Sequence, residues 1–167
     1  MKDILKLIGV FFIITLLGSC EPKVEREYIV EPCPEDEKPS MAAQIKQLKD
    51  DGFEIFDYVD DVTGDTLIMQ QYFMAFLKSG SNKDQSTEAL DSLQQLHLGH
   101  LTRMYNEGFA DVSGPFGDDG DVRGITIYNV PTMEIADSLA NLDPMVQAGR
   151  IAIEIRPWWA GKGYGMR

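Results

Sequence analysis

Cysteine, histidine and positive charge are all scarce in this chain, and each scarcity excludes something. The two cysteines, Cys20 and Cys33, allow at most one internal bridge, so no disulfide framework holds the fold. The two histidines, His97 and His100, sit three apart on one helix face, but no further Cys/His cluster completes a metal site, and no metal or other cofactor is called for. Fifteen basic residues stand against 27 acidic ones, a net charge of −12. Phosphate backbones demand a basic patch, so nucleic acid is excluded as a partner, and so is electrostatic docking on anionic lipid. Long apolar runs are missing too. Leu7 to Leu17 is apolar apart from Gly9 and Thr15, about half of the roughly 20 residues a spanning helix needs. No serine or cysteine carries a nucleophile motif. The terminal GKGYGMR lacks the strand and helix that frame a phosphate loop. Asp118, Asp119 and Asp121 lack calcium-loop spacing and read as a solvated hairpin turn.

What is present begins at the N-terminus. Lys2 and Lys6 precede the apolar run, and Leu17-Gly18-Ser19-Cys20 follows it. This arrangement resembles a bacterial lipoprotein signal with its lipobox. The resemblance implies a signal peptide over residues 1–19, lipidation of Cys20 and an envelope protein tethered to a membrane without spanning it, on the periplasmic or surface side. Cys33 is then the only free thiol. Residues 20–40 read as an acidic, proline-rich tether, holding Pro22, Pro32, Pro34 and Pro39 of the chain's eight prolines and seven acids from Glu21 to Glu37. Loss of residues 1–19 removes two lysines and one aspartate and takes the charge from −12 to −13.

Ser40 caps a short helix over 41–51 with Ala42, Ile45 and Leu48 on one face, ended by Gly52. Phe53 to Val59 is aromatic and β-branched and reads as a strand. Residues 41–66 thus form a helix–strand extension to a domain spanning 67–160, with a flexible tail over 161–167. In that domain Thr66–Lys78 is a long strand. Ser86–Glu107 is a helix with Leu90, Leu93, His97, Leu101 and Met104 at spacings of three and four, stopped by Gly108. Phe109–Ser113 and Val122–Val130 are strands, Thr132 caps a helix through Leu142, and Arg150–Arg156 alternates isoleucines with smaller or polar residues. The order β-α-β-β-α-β is that of an α+β, ferredoxin-like antiparallel sheet with helices on one face. Its other face needs a cover, and the aromatic first strand predicts a second copy, hence a homodimer.

His97 lies in register with Leu93 and Leu101, where a histidine is ordinarily a core residue with one hydrogen bond. Asp143, before Pro144, is an ordinary helix cap. Together with His97-Leu98, Gly108, Gly114-Pro115, Gly124, Ala148-Gly149 and Arg156-Pro157-Trp158, these residues make the chain resemble the YCII-related (YciI-like) proteins over about residues 67–159. The resemblance implies a ferredoxin-like fold dimerised into an α+β barrel, and a pocket whose acid–base pair falls on His97 and Asp143. A carboxylate bonded to one imidazole nitrogen sets the tautomer and leaves the other as a base, which suits proton abstraction beside a carbonyl or during elimination. His100, Ser113, Gly114, Pro115 and Trp158 are the candidate ligand-binding residues. Ser113 also reads as a turn former, and Trp158-Trp159 equally as a dimer edge. Two functions stand: an acid–base enzyme (lyase, isomerase or dehalogenase-like) on a small organic molecule, and a non-catalytic binding or scaffold lipoprotein. A third, haem binding, rests on a single histidine on an apolar helix face.

Overall fold

The structure is a computed structural model that describes residues 39–165. The signal peptide, Cys20, Cys33 and nearly all of the tether read from the sequence lie outside the described residues. No described helix is long and apolar enough to cross a membrane.

Helix α1 (Met41–Asp50) starts at Ser40, whose hydroxyl accepts from the Ala43 N–H at 3.3 Å. It leads into β1 (Ile55–Val59) and, through a turn held by the Asp60 carboxylate, into β2 (Thr66–Ser79). Helix α2 (Thr87–Asn106) follows, then the hairpin β3 (Ala110–Pro115) and β4 (Val122–Tyr128). Helices α3 (Met133–Ala140) and α4 (Pro144–Gln147) precede β5 (Ile151–Gly161).

Strand β2 is the axis of the sheet. Along one edge it pairs antiparallel with β5 from Met69 to Ser79. Along the other it pairs with β1 at its N-terminal half and with β4 at its C-terminal half, and β4 carries β3 at the far edge. Without β1 the order is β5-β2-β4-β3, the split βαβ expected from the order of elements. Burial changes sides part-way along β2. Ile68, Gln70 and Tyr72 are buried on one face, and Phe73, Ala75 and Leu77 on the other.

The core lies on the second of these faces. Phe73 and Ala75 pack there with Met104 of α2, Ala136 and Ala140 of α3, and Ala110, Tyr128 and Val130. Both long helices therefore cover the same side, and Ile153 and Ile155 of β5 close it. On the opposite side Met74, Phe76, Ile127 and Trp158 form a partly exposed apolar surface beside the buried Tyr72.

Several boundaries differ from those expected from the sequence; β1 begins at Ile55 and not Phe53, and β4 ends at Tyr128 and not Val130. Strand β5 runs on through Pro157, Trp158 and Trp159 instead of ending at Arg156, because it is an edge strand paired only with β2 and such strands tolerate proline. Its end at Gly161 falls at the start of the expected tail, where the Lys162 N–H donates to the Ile68 carbonyl at 2.8 Å. Strand β3 runs past Ser113 to take in Gly114 and Pro115 as its last two residues, paired with Ile125 and Gly124. Helix α3 stops at Ala140 and not at Leu142, and Asp143-Pro144 opens a separate turn of helix, α4.

Candidate functional site

His97 is presented by the middle of α2. Ser86 starts that helix by accepting from the Ala89 N–H at 3.3 Å, and Gly108, at φ 77°, lets the chain leave it. The buried side of α2 comprises His97, His100 and Met104. His97 is thus held inward by the same stripe that builds the core, and it is 8% exposed.

Asp143 arrives from the other side. It is the N-cap of α4: its Oδ1 accepts from the Met145 N–H at 2.9 Å, and Pro144 fills the first helical position, where a missing N–H costs nothing. Its Oδ2 meets His97 Nδ1 at 2.5 Å. An ionised carboxylate only accepts, so Nδ1 donates this bond, and in the neutral ring that leaves the lone pair on Nε2. Asp143 is 3% exposed, and no described group bonds Nε2. The two readings of Asp143, cap and partner, hold together, one on each oxygen.

His97 opens on a cavity of ≈ 260 Å³. Leu77, Leu98, Leu101 and Met145 supply apolar wall, Gly114, Pro115 and Gly124 come from the β3–β4 hairpin, and Gln94 and Arg123 are the polar lining beside His97. Gly124 is required at its place, since a Cβ there would lie 2.5 Å from the Gly114 carbonyl oxygen. The arrangement can take a proton from, or return one to, a small molecule held in this cavity.

The family model of the YCII-related domain matches residues 74–159, slightly more than half of the 167-residue chain. The chain belongs to the YCII-related domain family. Among solved structures it is similar to 5-chloro-2-hydroxyhydroquinone dehydrochlorinase from Burkholderia phenoliruptrix, in complex with 2,5-dihydroxybenzoquinone. The identity is 22% and the TM-score 0.39, over 52% of this chain and 92% of that one. No curated protein matches the chain.

Within the YCII-related domain the remaining sequence candidates divide. Gly114 and Pro115 line the His97 cavity; His100, Ser113 and Trp158 do not. His100 is turned into the core side at 5% exposure, with Nδ1 accepting from Arg103 at 3.3 Å and Nε2 buried without a partner. Burial holds its pKa below the ordinary histidine value. Ser113 bonds Thr126 hydroxyl to hydroxyl at 3.0 Å. Trp158 tilts over Tyr72, ring centroids 6.2 Å apart, in a separate groove of ≈ 740 Å³ that also takes in Asp111, Asn129 and Lys162. In that groove burial raises the Tyr72 pKa to about 12 and lowers that of Lys162. Among the described residues no group of three or more His, Cys, Asp or Glu is placed to hold a metal ion.

Sequence reasoning passed over Gln94 and Arg123. The signal for Gln94 was its place one turn before His97. For Arg123 it was adjacency to Gly124, which pairs with Pro115 at the cavity wall.

Proposed function

We propose that this YCII-related protein is a lipid-anchored acid–base enzyme of the bacterial envelope, acting as a homodimer on a small organic molecule. One observation carries the chemistry: a buried His97–Asp143 pair, 2.5 Å from Nδ1 to Oδ2, whose imidazole faces a cavity. Asp143 orients the ring and offsets the positive charge that forms when Nε2 takes a proton from carbon; the same nitrogen returns that proton in elimination or isomerisation. The anchor is supported by Leu17-Gly18-Ser19-Cys20 after a short apolar run, and the homodimer by the apolar sheet face around Met74 and Phe76.

The test is proton exchange. A panel of small enolisable ketones, lactones and cyclic enones is incubated with the protein in D2O, and loss of the C–H signal is followed by NMR. Exchange on the responding compounds is expected to fall about 10²–10⁴-fold in His97→Gln and to drop in Asp143→Asn. Equal rates in the wild type and His97→Gln would sink the proposal.

Capping of α4 gives Asp143 a structural task independent of chemistry, and this favours a second reading, a binding protein without turnover. Compounds that move the His97 ring signals yet show no exchange would establish it.

A further inference from the structure

The His97 cavity has a neighbour. A recess of ≈ 360 Å³ is lined by Lys83, Asp91 and Arg150 among others, and Gln94, Arg123, Met145 and Ile151 line both spaces. The two are therefore compartments of one cleft, apolar near His97 and charged further out.

The charge of the outer compartment runs against the chain. A protein at −12 places three cations, Lys83, Arg123 and Arg150, around this recess with a single acid, Asp91. They are poorly neutralised. Arg123 meets Asp119 at 3.9 Å, a fully exposed carboxylate, and otherwise donates to the backbone carbonyls of Asp118 and Gly120 at 3.5 and 3.3 Å. Among the described residues Lys83 and Arg150 have no carboxylate within ion-pair distance. Lys78 and Arg156, by contrast, share Glu154.

The arginines also stand on firm backbone. The Arg150 N–H donates to the Met145 carbonyl at 3.0 Å, and its own carbonyl accepts from the Gly80 N–H at 2.9 Å. A Cβ at Gly80 would fall 2.2 Å from the Gly149 carbonyl oxygen, so this junction closes only over glycine. Arg123 lies in β4 at the bulge where the strand shifts register against β2, between the pairs Leu77–Gly124 and Lys78–Val122, and its carbonyl accepts from the Phe116 N–H at 2.9 Å.

We propose that the ligand of this cleft is a small amphipathic oxyanion, its carbon skeleton in the His97 compartment and its carboxylate or phosphate in the Lys83–Arg123–Arg150 recess. Arg123, which lines both, is the residue that orients it. The inference rests on the acid–base reading above and adds the substrate class to it. Guanidinium groups grip oxyanions with paired hydrogen bonds, so two of them set direction as well as affinity. In the step itself His97 Nε2 takes a proton from a carbon beside a carbonyl, and the C–H electron pair passes to the carbonyl oxygen. Nearby cations offset the negative charge that develops there.

The full chain in detergent micelles is titrated with phenylacetate, phenyl phosphate and neutral phenylacetamide while the His97 ring signals are followed by NMR. At least one anion is expected to bind about tenfold or more tightly than the amide and to move the His97 signals. Arg123→Gln is expected to remove that preference and Arg150→Gln to reduce it several-fold. Lys162→Gln, which makes the same charge change in the separate groove, keeps it whole. Preference for phenylacetate names a carboxylic acid, and preference for phenyl phosphate a phosphate monoester. The inference falls if the amide binds as tightly as both anions, if Arg123→Gln leaves the preference intact, or if the anions bind without moving His97. Its failure is separable from that of the chemistry. Charge preference without His97-dependent exchange removes the enzyme and keeps the oxyanion site, and exchange without charge preference does the reverse.

Discussion

His97 and His100 differ by one turn of helix and have opposite circumstances. The ring of His97 meets a carboxylate, whereas His100 has the guanidinium of Arg103 at one nitrogen and nothing at the other. Burial depresses the His100 pKa first; Arg103 and His97 add to the effect, and Asp143 opposes it. The folded protein thus protonates this ring at a lower pH than the unfolded chain, which takes up its proton near pH 6.5. Below that pH the unfolded state binds more protons, so stability declines as pH falls, until the folded ring titrates as well. The urea midpoint is expected to drop between pH 7.5 and pH 5.5, and His100→Gln to flatten part of that slope; an identical slope in the variant would refute the assignment. The helical spacing of His97 with Leu93 and Leu101 made its burial legible in the sequence. The partner of His100 was not, because the His97–Asp143 contact and the Arg103–His100 contact span 46 residues and three residues respectively, and spacing alone assigns neither ring its partner.

At the scale of elements, the β3–β4 hairpin is the part of the site with the least tolerance. Gly124 faces the Gly114 carbonyl so closely that a methyl group has nowhere to go. Gly124→Ala should cost about 1–3 kcal/mol, since overpacking a closed ladder moves backbone and not only side chains. A urea titration of the variant beside Gly64→Ser, whose position has open space around it, measures this against a site where the strain is conformational alone. Equal midpoints for Gly124→Ala and the wild type would remove the packing argument. Most elements were legible because α2 carries a clear 3.6-residue stripe and β5 a clear alternation. The ends were less so. Pro115 and Pro157 look like terminators in a sequence, but both sit on edge strands, and edge position is a property of the finished sheet. The change of buried face along β2 was likewise hidden, since a strand with large apolar side chains on both sides shows no alternation to read.

For the whole molecule, the unresolved demand is the apolar sheet face opposite the helices. Met74, Phe76 and Ile127 are only partly covered there, and Trp158 is 41% exposed. A face of this kind is stabilised by removal from water, and the proposed second copy supplies that. In detergent micelles of known mass the full chain is expected to sediment as a dimer, and Met74→Glu, at the centre of the face, as a monomer. A monomeric wild type would leave the face to some other cover. Layer packing requires that such a face be covered, and the aromatic side chains of β2 are what make a second copy the expected cover.

The double attachment of Asp143 bears on how such a protein can change over generations. One oxygen caps α4 and the other meets His97. A lineage that lost the chemistry would still be under selection to keep a capping side chain at this position, with Asn and Ser as ready replacements for Asp. No comparable backbone bond ties down the imidazole of His97. Among relatives of this chain, a retained capping residue at position 143 therefore says little about activity, and the residue at position 97 is the one that separates working sites from relics.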